Sequence, residues 1–115
     1  MADYNELAWA AGFYDGEGCI TLHKSKHSGK NWKYPNIHIG QVDRRPLDRF
    51  LKAIGVGHIY GPYRHSKNTN AKERFDLFVR KQDEVLHVIS SLWNFLSEPK
   101  KEQIKEVMSQ WRQNG

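Results

Sequence analysis

Apolar residues at helical spacing predict a helix at the start of the chain. They recur at i, i+3, i+4 and i+7, at Leu7, Ala10, Ala11 and Tyr14. A second apolar face carries Trp9 and Phe13, so we expect this helix to be buried on nearly all sides. We predict that it runs from about residue 4 to Tyr14 and that the glycines of the segment Asp15-Gly16-Glu17-Gly18 end it in a turn.

The rest of the chain alternates between strand patterns and helix patterns. Residues 19–26 and 34–41 alternate apolar and polar side chains around a glycine turn, which predicts a hairpin; residues 58–60 and 74–79 predict a second one. Helical spacing predicts further helices over residues 46–54, 82–96 and from about 97 onward, with Val85, Leu86 and Val88 facing the core. We therefore predict one α+β domain over residues 1–115, in which four strands carry helices on one face.

Basic charge is concentrated in the middle of the chain. The net charge is +5; residues 1–19 carry four acids and no lysine or arginine, whereas residues 20–45 carry six bases against one acid and residues 46–80 carry seven against three. A basic face of this kind favours a partner with phosphate groups. Cys19 is the single cysteine, which excludes an internal disulfide. No apolar run approaches the roughly 20 residues of a membrane span, and no signal peptide opens the chain, so we expect an intracellular protein.

One stretch of nine residues resembles the signature of a known family. The nonapeptide Ala10-Ala11-Gly12-Phe13-Tyr14-Asp15-Gly16-Glu17-Gly18 is similar, position for position, to the motif of the LAGLIDADG homing endonucleases. The stretch from Ile37 to Tyr60, with its Ile-Gly-Val-Gly turn, resembles the family's second strand, second helix and start of the third strand. The resemblance covers residues 7–111 and implies the order αββαββα, with a four-stranded antiparallel sheet saddled over the DNA major groove.

The resemblance also implies the catalytic positions. Glu17 matches the acidic residue that binds the catalytic divalent cation, Mg²⁺ or another such as Mn²⁺, and the carbonyl of Gly16 contributes beside it. Gln41 matches a polar residue that orients water near the scissile phosphate, and Lys100 matches a basic residue close to the metal. A second basic group falls on Arg44 or Arg45, because a length difference in the loop before the second helix leaves the register open.

Outward-facing positions of the strands are expected to contact DNA. Those assigned to base recognition are Thr21, His23, Ser25, Asn36, His38, Tyr60, Arg74 and Asp76. Lysines around this face are assigned to phosphates, although each could equally be a solvated surface charge: Lys24, Lys26, Lys30, Lys33 and Lys67. A metal cluster of His23, His38 and His58 is disfavoured, because the histidines lack a recognised ligand spacing.

A single copy of the motif implies a homodimer. Small residues would let two copies of the first helix approach closely, and we assign this contact to Leu7, Ala8, Ala11 and Gly12. Two Glu17 carboxylates at one centre suit phosphodiester hydrolysis by metal ions. The hypothesis is a sequence-specific, divalent-metal-dependent DNA endonuclease that cuts a near-palindromic double-stranded site without a small-molecule cofactor. The alternative is a catalytically inactive DNA- or RNA-binding module of the same fold, such as a maturase or a regulator.

Overall fold

A computed structural model of the chain describes residues 3–64 and 72–113. The elements follow the predicted order of helix, hairpin, helix, hairpin and two helices. Their bounds are α1 Tyr4–Glu17, β1 Gly18–His27, β2 Lys30–Gln41, α2 Arg45–Ile54, β3 His58–Tyr63, β4 Arg74–Val79, α3 Gln82–Leu92, a 3₁₀ turn Trp93–Phe95, and α4 Glu98–Gln113. The predicted α+β class is confirmed.

The four strands form one antiparallel sheet in the order β1-β2-β4-β3. In its register His38 lies opposite Phe78, and Gly40 lies opposite Asp76. Because successive side chains of a strand point to opposite faces, the sheet separates two sets of residues. The inner face buries Ile20, Ile37, Ile39, Leu77 and Val79. The outer face carries the polar set that includes His38, Arg74 and Asp76.

The helices contribute the other half of the core. Its buried helical residues are Ala10, Ala11 and Tyr14 of α1, Leu47, Phe50 and Ile54 of α2, Val85, Val88 and Leu92 of α3, and Ile104 of α4. The prediction that Leu86 faces the core is wrong, because this side chain is 45% exposed. The buried stripe of α3 follows Val85, Val88 and Leu92, and Leu86 lies on the adjacent face of the helix.

The first helix differs from its prediction at its end and at its surface. It continues through Gly16 to Glu17, and Gly18 caps it in an extended conformation, with φ −91°, so no left-handed glycine is involved. Ala8, Gly12 and Gly16 lie at i, i+4 and i+8 and are exposed. Apart from the adjoining backbone of α1 and the chain neighbours, no atom of the described residues would come within 4 Å of a Cβ placed at Gly12 or Gly16. The helix is therefore not buried all round; it presents an open small-residue strip (Ala8, Gly12 and Gly16).

Local signals explain how α1 and α2 begin and end. Asp3 caps α1 by accepting hydrogen bonds from the backbone N–H groups of Asn5 at 2.9 Å and Glu6 at 3.3 Å. Gly55 ends α2 at a φ of 75°, where a side chain would be strained. Within the described ranges, no helix is long and apolar enough to cross a membrane.

Candidate active site and nucleic-acid interface

Two of the predicted catalytic residues meet at the end of α1. Glu17 is the last residue of this helix and is exposed, and Gln41 is the last residue of β2. The side-chain amide of Gln41 donates a hydrogen bond to Glu17 Oε2 at 3.1 Å. The chain brings them together because β1 starts directly after Glu17 and pairs Gly18 with Ile39, two residues before Gln41.

Lys100 reaches the same point from the first turn of α4. Its ammonium group donates a hydrogen bond to the backbone carbonyl of Gly18, the residue that follows Glu17. It also lies 5.3 Å from the ring centroid of Tyr14. Tyr14 is itself buried; burial, and to a smaller extent Cys19 and Asp15, raise the pKa of its hydroxyl, so it stays a neutral phenol. Lys100 therefore supplies a positive charge at the end of α1.

A contact that the sequence did not predict fixes the start of α4. The carboxylate of Asp15 accepts hydrogen bonds from the backbone N–H of Ser97 at 3.1 and 3.2 Å and from its hydroxyl at 3.0 Å. Asp15 had been assigned only to an acidic turn. Ser97 was recognisable as a helix-capping residue, but its partner lies 82 residues away and no local pattern connects the two.

The donor set at the end of α1 suits a hard cation. Glu17 offers carboxylate oxygens, and the carbonyl of Gly16 lies in the last helical turn, where carbonyls lack an intrahelical donor. Mg²⁺ accepts oxygen ligands of this type and usually keeps several waters. In residues 3–64 and 72–113, no three His, Cys, Asp or Glu side chains converge on one point. A cation held by Glu17 would thus need further ligands from outside one copy of the chain.

The two candidate arginines at the start of α2 are engaged with nearby acids. Arg45 binds Asp43, with a closest N–O distance of 2.7 Å, and this hydrogen-bonded pair lowers the pKa of the Asp43 carboxyl to about 2. Arg44 donates to Asp48 at 3.1 Å, and its guanidinium lies 5.8 Å from the centroid of the Phe75 ring. The choice between Arg44 and Arg45 as a second basic group near the active site stays a prediction.

The residues assigned to a dimer contact fall into two groups. Ala8 and Gly12 are exposed on the small-residue strip, and Leu7 is partly buried against the core. Ala11 has no exposed surface, because it packs inside the chain's own core. The assignment of Ala11 to an intersubunit surface is therefore wrong, whereas the role of Ala8 and Gly12 stays a prediction.

The outer face of the sheet is organised around Asp76. This residue had been assigned to direct base contact, yet it is only 7% exposed. His38 Nε2 lies 2.7 Å from its Oδ1, and Arg74 Nη2 lies 3.6 Å from the same oxygen. Neighbouring side chains thus cover Asp76, and its predicted direct contact with a base is corrected. His38 and Arg74 keep exposed fractions of 32% and 37% and remain accessible.

Two further residues of this face were not predicted as site residues. The Phe78 ring stacks on His38, with centroids 4.6 Å apart and an interplanar angle of 15°. The guanidinium of Arg80 lies 4.1 Å from the centroid of the same ring. The alternation of Phe78 with buried Leu77 and Val79 placed it on the outer face, but its stacking depends on cross-strand register. Arg80 follows directly after β4 and carried no pattern of its own.

The remaining predicted contacts line the outer face and the first hairpin. Thr21, His23 and Tyr60 are exposed, Ser25 and Asn36 are half-buried, and the His23 ring lies 5.0 Å from that of Tyr34. Lys24, Lys26 and Lys30 are exposed; Lys33 is half-buried and lies directly opposite Lys24 in the register. Like charges opposite one another destabilise a strand pair, so this hairpin favours a nearby anion. Lys67 lies outside the described residues.

Comparison with known proteins finds solved structures of homing endonucleases that have a similar fold. No family model and no curated protein matches the sequence. Among solved structures, the chain is similar to the homing endonuclease I-CvuI in complex with its target, with a TM-score of 0.73 and 20% identity over 96% of this chain and 68% of that one. I-TnaI, another homing endonuclease, matches with a TM-score of 0.72 and 24% identity over 90% of this chain and 69% of that one. The LAGLIDADG homing endonuclease I-GzeII in complex with a DNA target matches with a TM-score of 0.62 and 18% identity over 83% of this chain and 30% of that one.

The chain has the LAGLIDADG homing-endonuclease fold. The nonapeptide predicted from the sequence forms the second part of α1, from Ala10 to Glu17, and the first residue of β1. The LAGLIDADG motif thus ends where Glu17, Gln41 and Lys100 meet, and its helix carries the exposed small-residue strip.

Proposed function

We propose that this chain is a sequence-specific DNA endonuclease that requires a divalent cation and cuts a near-palindromic double-stranded site as a homodimer. One observation carries the proposal: the carboxylate of Glu17, the amide of Gln41 and the ammonium of Lys100 lie together at the end of a helix. That helix has a small-residue strip open to a second copy. I-CvuI and I-GzeII, which share the fold, are homing endonucleases in complex with DNA targets.

Each of these groups has a chemical task in phosphodiester hydrolysis. Glu17 and the Gly16 carbonyl would hold Mg²⁺ or Mn²⁺; when bound, such a cation neutralises phosphate charge and lowers the pKa of a bound water. Gln41 orients the Glu17 carboxylate and offers its remaining amide groups to water. Lys100 places a positive charge where negative charge develops on the phosphate oxygens.

The homodimer is supported by the incomplete set of metal ligands in a single copy. Glu17 is an incomplete ligand set, and the small-residue strip is exposed directly before it along α1. In a twofold dimer the same surface patch of both copies forms the contact. Two small-residue strips in contact would therefore bring the two Glu17 carboxylates close to the twofold axis. The two sheets would then contact half-sites about one helical turn of ~10 bp apart, which makes the target near-palindromic.

A binding module without cleavage is the second candidate. The outer sheet face, with His38, Arg74 and Arg80, can contact nucleic acid independently of Glu17. In addition, Lys100 already donates to the Gly18 carbonyl, so its charge is partly satisfied within the chain. Such a module would bind a specific sequence without cleaving it, whichever divalent cation is present.

A randomised duplex DNA library distinguishes the two candidates. The library is incubated with the full chain in Mg²⁺ and, in parallel, in EDTA, and the products are sequenced. The proposal predicts cuts at one near-palindromic sequence in Mg²⁺ and none in EDTA. Specific retention of one sequence without any cut in Mg²⁺ or Mn²⁺ would favour the binding module instead.

A further inference from the structure

Asp76 is the only charged residue that is buried within the described part of the chain. It lies on β4, opposite Gly40 of β2 and Tyr60 of β3, at the centre of the outer face. Its carboxylate faces His38 at 2.7 Å and Arg74 at 3.6 Å, and it also accepts a hydrogen bond from the Tyr63 hydroxyl. The His38 and Arg74 contacts share Oδ1 of a carboxylate whose side chain is only 10% exposed, which points to a role that acts through these neighbours.

The contact with Asp76 selects the protonation pattern of His38. An ionised carboxylate can only accept hydrogen bonds, so the Nε2 atom of His38 is the donor. In a neutral imidazole the other nitrogen, Nδ1, is then an acceptor. No described residue donates to Nδ1, and the side chain stays 32% exposed. The parallel Phe78 ring, 4.6 Å away, holds the plane of the imidazole.

A glycine makes room for this arrangement. Gly40 lies opposite Asp76, and a Cβ at this position would overlap the guanidinium of Arg74 and come within 2.9 Å of Asp76 Oδ1. The absence of a side chain at Gly40 therefore lets the guanidinium and the carboxylate lie side by side on the sheet. Asp76, His38 and Arg74 form one connected unit, in which Asp76 is the shared and covered partner.

We infer that Asp76 is a positioning residue that fixes His38 as a hydrogen-bond acceptor toward DNA. The base that His38 contacts must then present a donor in the major groove. Only the exocyclic amino groups of adenine and cytosine do so. The inference rests on the proposed function, because it assumes that the outer face of the sheet binds duplex DNA. It assigns His38 one base position in each half-site and assigns none to Asp76.

The first measurement needs no DNA. Nitrogen-15 NMR of the full chain at mildly alkaline pH, with histidine side chains labelled, distinguishes the two neutral tautomers of His38. The inference predicts the Nε2–H tautomer in the native chain and in Asp76→Asn, whose amide oxygen can still accept, and a mixture in Asp76→Ala. An Nδ1–H tautomer in the native chain would overturn the inference regardless of what the protein binds.

The second measurement is base preference. A randomised duplex library is selected for binding to the full chain in Ca²⁺ by gel shift, and the retained sequences are compared between variants. We expect the native chain to prefer adenine or cytosine at one position per half-site, and His38→Ala to reduce that preference by about tenfold. Asp76→Ala should reduce it at the same position, and combining the two substitutions should cause no further loss.

His87→Ala is the matched control, because His87 is an exposed histidine on α3, outside the Asp76 unit and outside the outer face of the sheet. It should leave the His38 position unchanged. Unchanged preference in Asp76→Ala, or a preference for guanine or thymine at the position that His38→Ala alters, would overturn the inference while leaving specific binding intact. If the native chain retains no sequence at all, the base contact and the proposed function fail together.

Discussion

Asp15 and Ser97 join the two helices that carry the candidate catalytic residues. The Asp15 carboxylate accepts hydrogen bonds from the backbone N–H and the hydroxyl of Ser97, at 3.0 to 3.2 Å. Glu17 follows Asp15 by two residues on α1, and Lys100 follows Ser97 by three, in the first turn of α4. This contact therefore determines how Lys100 approaches the end of α1.

Replacing Asp15 should slow cleavage more than its cost in stability explains. Asp15→Ala removes a carboxylate that satisfies a helix-start N–H, so we expect the free energy of unfolding to fall by about 1 kcal/mol. It also frees the start of α4, so Lys100 loses its fixed position and cleavage should slow at least tenfold, up to the roughly 10²–10³ that outright loss of one electrostatic donor costs. Urea unfolding and single-turnover cleavage measure the two effects.

Asp3→Ala is the control for this prediction. Asp3 caps the start of α1 through the N–H groups of Asn5 and Glu6, far from Lys100 along the chain, and its loss should cost a similar amount of stability. Cleavage by Asp3→Ala should stay near the native rate, and Asp15→Asn should recover part of the loss. Equal slowing by Asp3→Ala and Asp15→Ala would mean that stability alone explains the effect.

A large side chain on the small-residue strip should separate the subunits without unfolding them. Gly12 is exposed, and beyond the adjoining backbone of α1 a Cβ there meets no described atom within 4 Å. We therefore expect the single chain to accept leucine, with a gain in helix stability of about 0.5–1 kcal/mol. Gly12→Leu should therefore convert a dimer into a folded monomer in analytical ultracentrifugation. Ser109→Leu, at an exposed position of α4, should leave the mass unchanged. A dimer that persists in Gly12→Leu would place the interface elsewhere.

The first hairpin should control the salt dependence of DNA binding. Lys24 lies opposite Lys33. Lys24→Ala removes one charge from each copy of the proposed homodimer, so it should weaken binding to all sequences alike and reduce the slope of log K against log salt by about 2. Without DNA, Lys24→Ala should be neutral or slightly stabilising, because it relieves the like-charge pair. Lys105→Ala on α4 should leave the slope unchanged. A changed base preference in Lys24→Ala would instead indicate a direct base contact.

Removing the Tyr14 hydroxyl should not destabilise the protein. This hydroxyl is buried and has no hydrogen-bond partner among the described residues, while the ring fills the core beneath Lys100. An unsatisfied buried hydroxyl costs free energy, so Tyr14→Phe should leave the free energy of unfolding unchanged or raise it by up to about 1 kcal/mol. Urea unfolding measures this, with Tyr4→Phe at a largely exposed ring as the control. A clear loss in Tyr14→Phe would reveal a hydrogen bond for this hydroxyl.

Much of the fold was predictable because the relevant signals are local. Alternation of apolar and polar residues gave the two faces of the sheet and the bounds of β4, and helical spacing gave the order of the helices. The end of α1 was predicted three residues early. Glycines at 16 and 18 favour a turn, but the N–H of Gly18 still bonds to the carbonyl of Tyr14 and keeps Gly16 helical.

The errors at the site arise from packing between distant segments. Both faces of α1 are apolar, so the sequence could not show that Ala11 enters the chain's own core while Ala8 and Gly12 stay exposed. Alternation placed Asp76 correctly on the outer face, but its burial results from His38 and Arg74 closing over it, which depends on strand register and side-chain direction. The family resemblance supplied Glu17, Gln41 and Lys100, which no local pattern groups together.

The most direct test of the account is the metal-dependent cleavage of a selected duplex by the native chain, by Glu17→Gln and by Glu102→Gln. Glu102 is an exposed acid on α4 and serves as the matched control. We predict cleavage by the native chain and Glu102→Gln in Mg²⁺, and retained specific binding without cleavage by Glu17→Gln. Cleavage by Glu17→Gln at the native rate, or its persistence in EDTA, would contradict the assignment of Glu17 and of the end of α1 as the catalytic centre.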